Sequence, residues 1–255
     1  MQPKWTRDVD HFTLTWGGHV WKLGVADKMP GLSCVDPPMG PLLALEGLSE
    51  TGRRAPRALS GKTLLEVECR AERVVAHYAP LGWGALHVTA VWAPIRDNGV
   101  QLSIEIQART VGALHGLEVN LLSTLTPAPT RGALRLVEPR DSRAAMLGYD
   151  GRERDVASLT TGPPGDPLAP WLARGLGEPR STYVELAHRD DVSRRIHEGK
   201  LPFSTTRYAL FGYDLEKGVV LRARLRAYWI SKDDAIEHAE RLWAEFLAEP
   251  LPLTR

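Results

Sequence analysis

The chain has 255 residues, 43% apolar and 25% charged, with 32 Lys+Arg against 31 Asp+Glu and a net charge of +1. These ordinary globular values exclude gross disorder, collagen, a coiled coil and a disulfide scaffold. The even charge balance argues against a non-specific nucleic-acid grip, and no apolar run approaches the roughly 18 residues of a membrane helix.

Most of the chain runs in strand period. His11 to Trp16 and His19 to Ala26 flank Gly17-Gly18, a hairpin pattern. Cys34 and Cys69 lie far apart with no metal spacing, and read as two buried free thiols. With no export signal at the start, the expected compartment is the cytoplasm. Ser60-Gly61-Lys62-Thr63 resembles the end of a phosphate loop, but Pro56 stands where that loop needs glycine. The following Leu64 to Cys69 reads as a strand instead of the required helix, so the motif is rejected.

Thr63 to Arg70 and Arg73 to Tyr78 form the next predicted pair, and Ala85 to Ala93 and Val100 to Ala108 the clearest one. Asn98-Gly99 is expected to supply the positive φ of their tight turn. Val100, Leu102, Ile104 and Ile106 face one way, and Gln101, Ser103, Glu105 and Gln107 the other, which marks a sheet with one buried face. Leu117 to Leu125 and Ala133 to Glu138 continue the pattern. Five prolines and four glycines between Thr161 and Arg180 predict an irregular insertion near 161–180 in a single domain spanning 1–255.

Strands resume at Ser181 to His188, Arg207 to Tyr213 and Val219 to Ile230. In the last, Arg222, Arg224 and Arg226 share a face with Tyr228. Ser231 is the expected N-cap of a helix with Asp233 and Asp234 in its first turn. Ile236, Ala239, Leu242, Trp243, Phe246 and Leu247 form its apolar stripe, and Pro250 stops it. The fold class is therefore mainly β: a large antiparallel β-sandwich with one C-terminal α-helix.

Candidate functional residues lie at strand ends and turns, where sites are usually built. Trp83, between Gly82 and Gly84, is read as an exposed stacking platform or as core, with Tyr208 and Tyr213 as further platform residues. His77, His115 and His188 sit near strand ends, with Asp191 just beyond His188. Asp214 to Gly218 is either a plain hairpin turn or a strand end that presents Glu216 beside Tyr213 and Lys217. Arg222 and Arg224 either grip a carboxylate, sulfate or phosphate, or pair across the sheet with Glu66, Glu68 or Glu105. No clustered Cys/His set suggests a metal, and no cofactor is expected.

The run from Leu86 to Leu125 and that from Tyr208 to Trp229, with the closing helix, resemble the galactose-mutarotase-like supersandwich that includes aldose epimerases. The resemblance implies a glutamate base and a histidine acid acting on opposite sides of a sugar ring. In that family an arginine, two histidines, an aspartate and a glutamate follow one another; His77, His115, Asp191 and Glu216 fall in this order, with arginines upstream. Tyr78 and Ala79 stand where family members carry a glycine pair after the first histidine. The implied function is acid–base isomerisation of a carbohydrate, with His77, His115 or His188 as acid, Glu216 as base, and Arg222 and Arg224 available to an acidic sugar. The implied partner is a mono- or oligosaccharide, with neither nucleic acid nor membrane. A non-catalytic carbohydrate-binding protein and a structural sandwich that binds a protein remain the alternatives.

Overall fold

The computed structural model describes residues 3–8, 11–35, 39–70, 72–109, 113–125, 135–140, 143–148, 156–160, 171–175, 181–188, 190–200, 203–231 and 235–249. The strands in chain order begin with β1 (Trp5–Arg7), β2 (Phe12–Trp16), β3 (His19–Gly24), β4 (Gly31–Cys34), β5 (Met39–Leu42), β6 (Ala44–Glu50) and β7 (Arg53–Pro56). They continue with β8 (Leu64–Arg70), β9 (Arg73–Tyr78), β10 (Leu86–Ile95), β11 (Gly99–Ala108), β12 (Ala113–Leu125), β13 (Arg135–Arg140) and β14 (Arg143–Gly148). Last come β15 (Val156–Thr160), β16 (Trp171–Gly175), β17 (Ser181–Ala187), β18 (Val192–Lys200), β19 (Phe203–Glu216) and β20 (Val220–Ser231), followed by α1 (Ala235–Ala248).

Three antiparallel sheets result. The first five strands form one in sequence order. A nine-stranded sheet runs β14-β13-β16-β17-β20-β11-β10-β9-β8, and a six-stranded sheet runs β15-β18-β19-β12-β6-β7. The alternation read in β11 sets the packing. Val100, Leu102, Ile104 and Ile106 are buried with Val88, Ala90 and Trp92 of β10 and with Ala223, Leu225, Ala227 and Trp229 of β20. Leu117, Val119 and Leu121 of β12, Tyr208 and Leu210 of β19 and Leu45 and Leu48 of β6 belong to the same core. The five-stranded sheet joins it through Trp21, whose ring lies 6.4 Å from that of Trp229. Each fully buried apolar side chain of this kind contributes about 1.5–3 kcal/mol.

One carboxylate lies inside this core. Glu185, on the inward face of β17, is 1% exposed and accepts hydrogen bonds from the Tyr183 and Tyr208 hydroxyls at 2.9 Å each. A buried carboxyl group needs such partners, because leaving its polar atoms unpaired costs about 1–3 kcal/mol.

Several sequence expectations are corrected. The β10–β11 turn takes its positive φ at Asp97 (55°) and Asn98 (62°), not at Gly99. Gly99 is required for space, since a Cβ there would fall 2.5 Å from the Tyr228 ring. Ser231 ends β20 and the helix starts at Ala235; Asp233 and Asp234 lie outside the described residues. Ala239, Leu242 and Phe246 are buried under α1 as the stripe predicts, whereas Leu247 is exposed. Cys34 is buried but Cys69 is exposed, and the two form no disulfide with each other. Of the stretch 161–180, residues Trp171–Gly175 form β16 and the remainder lies outside the described residues. The rejected phosphate motif is a turn: the Thr63 hydroxyl bonds back to the Ala58 carbonyl at 2.9 Å, and β8 follows. Among the described residues no helix is long and apolar enough to cross a membrane.

Candidate functional site

The residues singled out in the sequence fall into separate places. Tyr208 and Trp83 are core side chains, each 2% exposed. The glycines beside Trp83 do turn the chain, with φ of 76° at Gly82 and 63° at Gly84, but the indole folds inward and carries the Arg53 guanidinium 4.3 Å above its ring. Neither residue is a sugar platform.

His77 and Arg222 lie on the outer face of the nine-stranded sheet, in a cross-strand row Glu66, His77, Thr89, Glu105, Arg222. His77 Nδ1 meets Thr89 Oγ1 at 3.1 Å, and Arg222 closes on Glu105 at 2.7 Å. The cross-strand pairing alternative thus holds for Arg222. Arg224 has a different partner: Arg224 and Arg226 lie under the Phe246 ring, 5.2 and 4.8 Å from its centroid, and both reach Glu249 at the end of α1. These two guanidiniums fasten the helix to the sheet. Glu249 is held below the usual glutamate range by the Arg226 hydrogen bond.

His188 also faces this layer, with its ring centroid 6.3 Å from that of Phe246 and Nδ1 accepting the Asp190 N–H at 3.3 Å. Asp191 links the two main sheets. Its side chain accepts the Arg224 N–H at 3.2 Å, and its carbonyl accepts the Phe211 N–H at 2.8 Å. Burial pushes the Asp191 carboxyl up, and the Arg224 N–H opposes that shift.

Tyr213 and His115 come together at one end of the six-stranded sheet, on the neighbouring strands β19 and β12. The reason is a bulge. Phe211 and Gly212 have φ of 76° and 73°, and the ladder with β12 slips between Leu114 and Glu118. Only glycine fits the second position, because a Cβ on Gly212 would fall 2.8 Å from Ser193 Cβ. The bulge turns Tyr213 toward the β17–β18 turn, where its hydroxyl donates to the Asp190 carbonyl at 3.1 Å. It also sets Asp214 beside β12: Oδ1 accepts the Gly116 N–H at 2.8 Å and Oδ2 meets His115 Nδ1 at 3.2 Å. Asp214 is held below the usual carboxylate range, first by the Gly116 N–H and then by His115. An ionised carboxylate can only accept, so Nδ1 carries the proton and Nε2 is the nitrogen offered to a ligand. Glu216 is exposed at the end of β19 with Lys217 in the adjoining turn, and the Val219 N–H bonds the Glu216 carbonyl at 3.1 Å.

The same end carries a carboxylate the sequence did not flag. Glu118 lies on the outer face of β12, three residues beyond His115, roughly 10 Å along the strand. Its Oε1 accepts Ser193 Oγ at 2.8 Å and its Oε2 accepts Ser49 Oγ at 3.0 Å. Asn120 Nδ2 supports Ser49 at 2.9 Å, and Arg194 stands 3.5 Å from Oε2. Glu118 opens onto a groove of about 390 Å³, lined also by Ser49, Glu50, Arg53, Arg54 and Arg194. Toward His115 the link is Thr51, whose N–H donates to the His115 carbonyl at 3.0 Å. The arrangement offers a hydrogen-bonded carboxylate and a histidine of fixed tautomer on one strand, the two kinds of group that move protons on a hydroxylated ligand. Among the described residues no group of three or more His, Cys, Asp or Glu is placed to hold a metal ion.

No protein-family model matches the chain, and no curated protein matches it by sequence. Solved structures do match. The alpha-N-acetylgalactosaminidase NagBb from Bifidobacterium bifidum, as its GalNAc complex, is similar with a TM-score of 0.61 and 11% identity over 97% of this chain and 39% of its own. The galactose mutarotase related enzyme from Lactobacillus acidophilus gives 0.52 and 6%, over 91% of this chain and 98% of its own. An aldose epimerase homologue from C. elegans gives 0.50 and 9%, over 90% and 99%. The fold is the galactose-mutarotase-like supersandwich. The chain spans about two-fifths of the NagBb structure's length and almost the whole length of the two epimerase-type structures. At these identities the likeness describes the fold, and the activity has to be argued from the site.

Proposed function

We propose that the protein binds a sugar at the open end of the six-stranded sheet and interconverts its anomers by acid–base catalysis. The observation that carries the reading is His115, with its tautomer set by Asp214, on the same strand, β12, as the hydrogen-bonded carboxylate of Glu118. The fold's likeness to epimerase-type structures supports it.

In this reading Glu118 takes the base role that the sequence had suggested for Glu216. It removes the proton of the anomeric hydroxyl, and His115, entering the step as the imidazolium with Nδ1–H held on Asp214, delivers its Nε2 proton to the ring oxygen and is left as the Nδ1–H tautomer. The C1–O5 bond breaks, its electron pair goes to the ring oxygen, and C1 becomes a carbonyl. After rotation about C1–C2 the ring closes by the reverse transfers, with no net gain or loss of protons. Ser49, Ser193 and Asn120 keep the Glu118 carboxylate in one orientation, and effective catalysis needs such pre-positioning.

The test is proton NMR exchange between the α and β anomers of glucose and galactose, with the protein at catalytic concentration. Acceleration that disappears in Glu118→Gln and His115→Ala supports the reading. Sugar binding without acceleration favours a carbohydrate-binding protein, and acceleration that survives both substitutions rejects the assigned residues.

A further inference from the structure

The groove beside Glu118 carries more positive charge than its own carboxylates neutralise. Arg53, Arg54 and Arg194 line it against Glu50 and Glu118, and the adjoining pair Glu46 and Arg207 adds one charge of each sign. Every carboxylate already has a partner. Glu118 holds two serine hydroxyls, with Arg194 at 3.5 Å, and Glu50 pairs with Arg53 at 3.5 Å. Glu46 closes on Arg207 at 3.3 Å and leaves Arg54 at 4.0 Å. Arg53 is fixed in place, over Trp83 and donating to the Gly82 carbonyl at 2.9 Å.

Arg54 and Arg194 differ from Arg53. Their side chains are 65% and 55% exposed, against 44% for Arg53. They stand on opposite walls, Arg54 on β7 and Arg194 on β18, with β6, β12 and β19 between them. Four strand spacings of about 4.8 Å separate those walls. Arg194 leans across β19 to reach Glu118 because its β19 partner is the small Ala209 and Gly212 follows nearby. A neutral sugar would leave this charge unused. An oxyanion would satisfy it with charge-assisted hydrogen bonds.

We propose that the groove takes a sugar carrying an oxyanion, a carboxylate or a phosphate, gripped by Arg54 and Arg194 while the ring faces Glu118 and His115. This rests on the sugar-binding reading above and names its substrate class. It has a chemical consequence. An anion that draws Arg194 toward itself takes a cation away from Glu118 Oε2, and a carboxylate with less positive charge beside it is a stronger base. The charged substrate would then activate the group that acts on it.

The experiment is calorimetric titration of the full chain with glucose, glucuronate, glucose 6-phosphate and inorganic phosphate, at low and high salt. The expected result is that at least one acidic sugar binds about tenfold or more tightly than glucose. The preference should shrink as salt rises. Arg54→Gln and Arg194→Gln should each bring the acidic sugar toward glucose. Both sites are exposed, so thermal melts should show the variants folded. Glucuronate and glucose 6-phosphate separate a carboxylate from a phosphate ligand.

Equal affinity for glucose and the acidic sugars, unmoved by either substitution, overturns this inference and leaves the sugar reading standing. Inorganic phosphate binding as tightly as glucose 6-phosphate also overturns it, since the sugar then adds nothing. Failure of every sugar to bind overturns both. An acidic sugar that binds through these arginines without anomer exchange supports the site and rejects the isomerisation.

Discussion

Asp214 and His115 meet at 3.2 Å across the β12–β19 ladder, and the carboxylate decides which ring nitrogen is free. Asp214→Asn should therefore reduce turnover more than binding. An amide can donate or accept, so it no longer imposes the Nδ1–H tautomer. We expect kcat to fall about a hundredfold or more with KM little changed. The acid side follows from the sign of the Asp214 shift. Its pKa is depressed, so the interaction is complete above the ordinary value of 3.8 and is lost only as pH falls through the lower, folded-state value. Nitrogen-15 NMR of His115 reads the tautomer directly, and a ring that stays Nδ1-protonated in the asparagine variant would contradict this account.

Tyr208 acts on stability. Its hydroxyl donates to the buried side chain of Glu185, so Tyr208→Phe leaves that side chain one hydrogen-bond partner fewer. The expected cost is about 1–3 kcal/mol. In a chain of this size each kcal/mol lowers Tm by roughly 2–4 °C. Sugar affinity should not move. Trp83→Ala should cost about 3–5 kcal/mol as a core truncation and should also release Arg53 from its place beside the groove. A loss of affinity at unchanged Tm in either variant would return that residue to the site.

Gly212 joins stability to the site. Gly212→Ala must hold an L-residue at φ 73° and push against Ser193, which donates to Glu118. Gly218→Ala is the control, because its φ is 85° but nothing lies within 4 Å of the added carbon. Both should lose about 1–2 kcal/mol from left-handed strain. Only Gly212→Ala should also lower the rate of anomer exchange.

The Arg226–Glu249 contact ties α1 to the sheet in a pH-dependent way. Glu249 is depressed by its Arg226 hydrogen bond, so its contribution is present above the ordinary value of 4.5 and is lost as pH falls through the depressed one. Glu249→Gln should lower Tm at neutral pH and flatten the fall in Tm below pH 4.5. Hydrogen exchange should show faster opening of α1 in the variant. An unchanged exchange rate would mean that Phe246 packing alone holds the helix.

What the sequence made legible follows from which interactions are local. The β10–β11 hairpin and the inner face of β20 could be read because strict alternation records a sheet with one buried side. Strands β4, β5 and β7, four residues each, show no such record, and Gly31, Gly40 and Pro41 break what pattern exists. At the site, His115 stood out because the glycines around it, Gly112 and Gly116, read as a turn before a strand, whereas the structure places it within β12. Its partner Asp214 lies 99 residues away and read as part of a hairpin turn. Glu118 looked like any outward polar strand residue, since Ser49 and Ser193, which orient it, are 69 and 75 residues distant. The arginines of β20 looked available for the same reason: tertiary folding, not local pattern, brings Glu249 onto Arg224 and Arg226. Trp83 misled because flanking glycines predict a turn but not the direction in which the indole points.

The measurement that bears most directly on the account is the anomer exchange rate of wild type beside Glu118→Gln and Glu216→Gln. The account predicts acceleration by wild type and by Glu216→Gln, and loss of at least about a hundredfold in Glu118→Gln. Acceleration that survives in Glu118→Gln and vanishes in Glu216→Gln would contradict it and move the base to the end of β19.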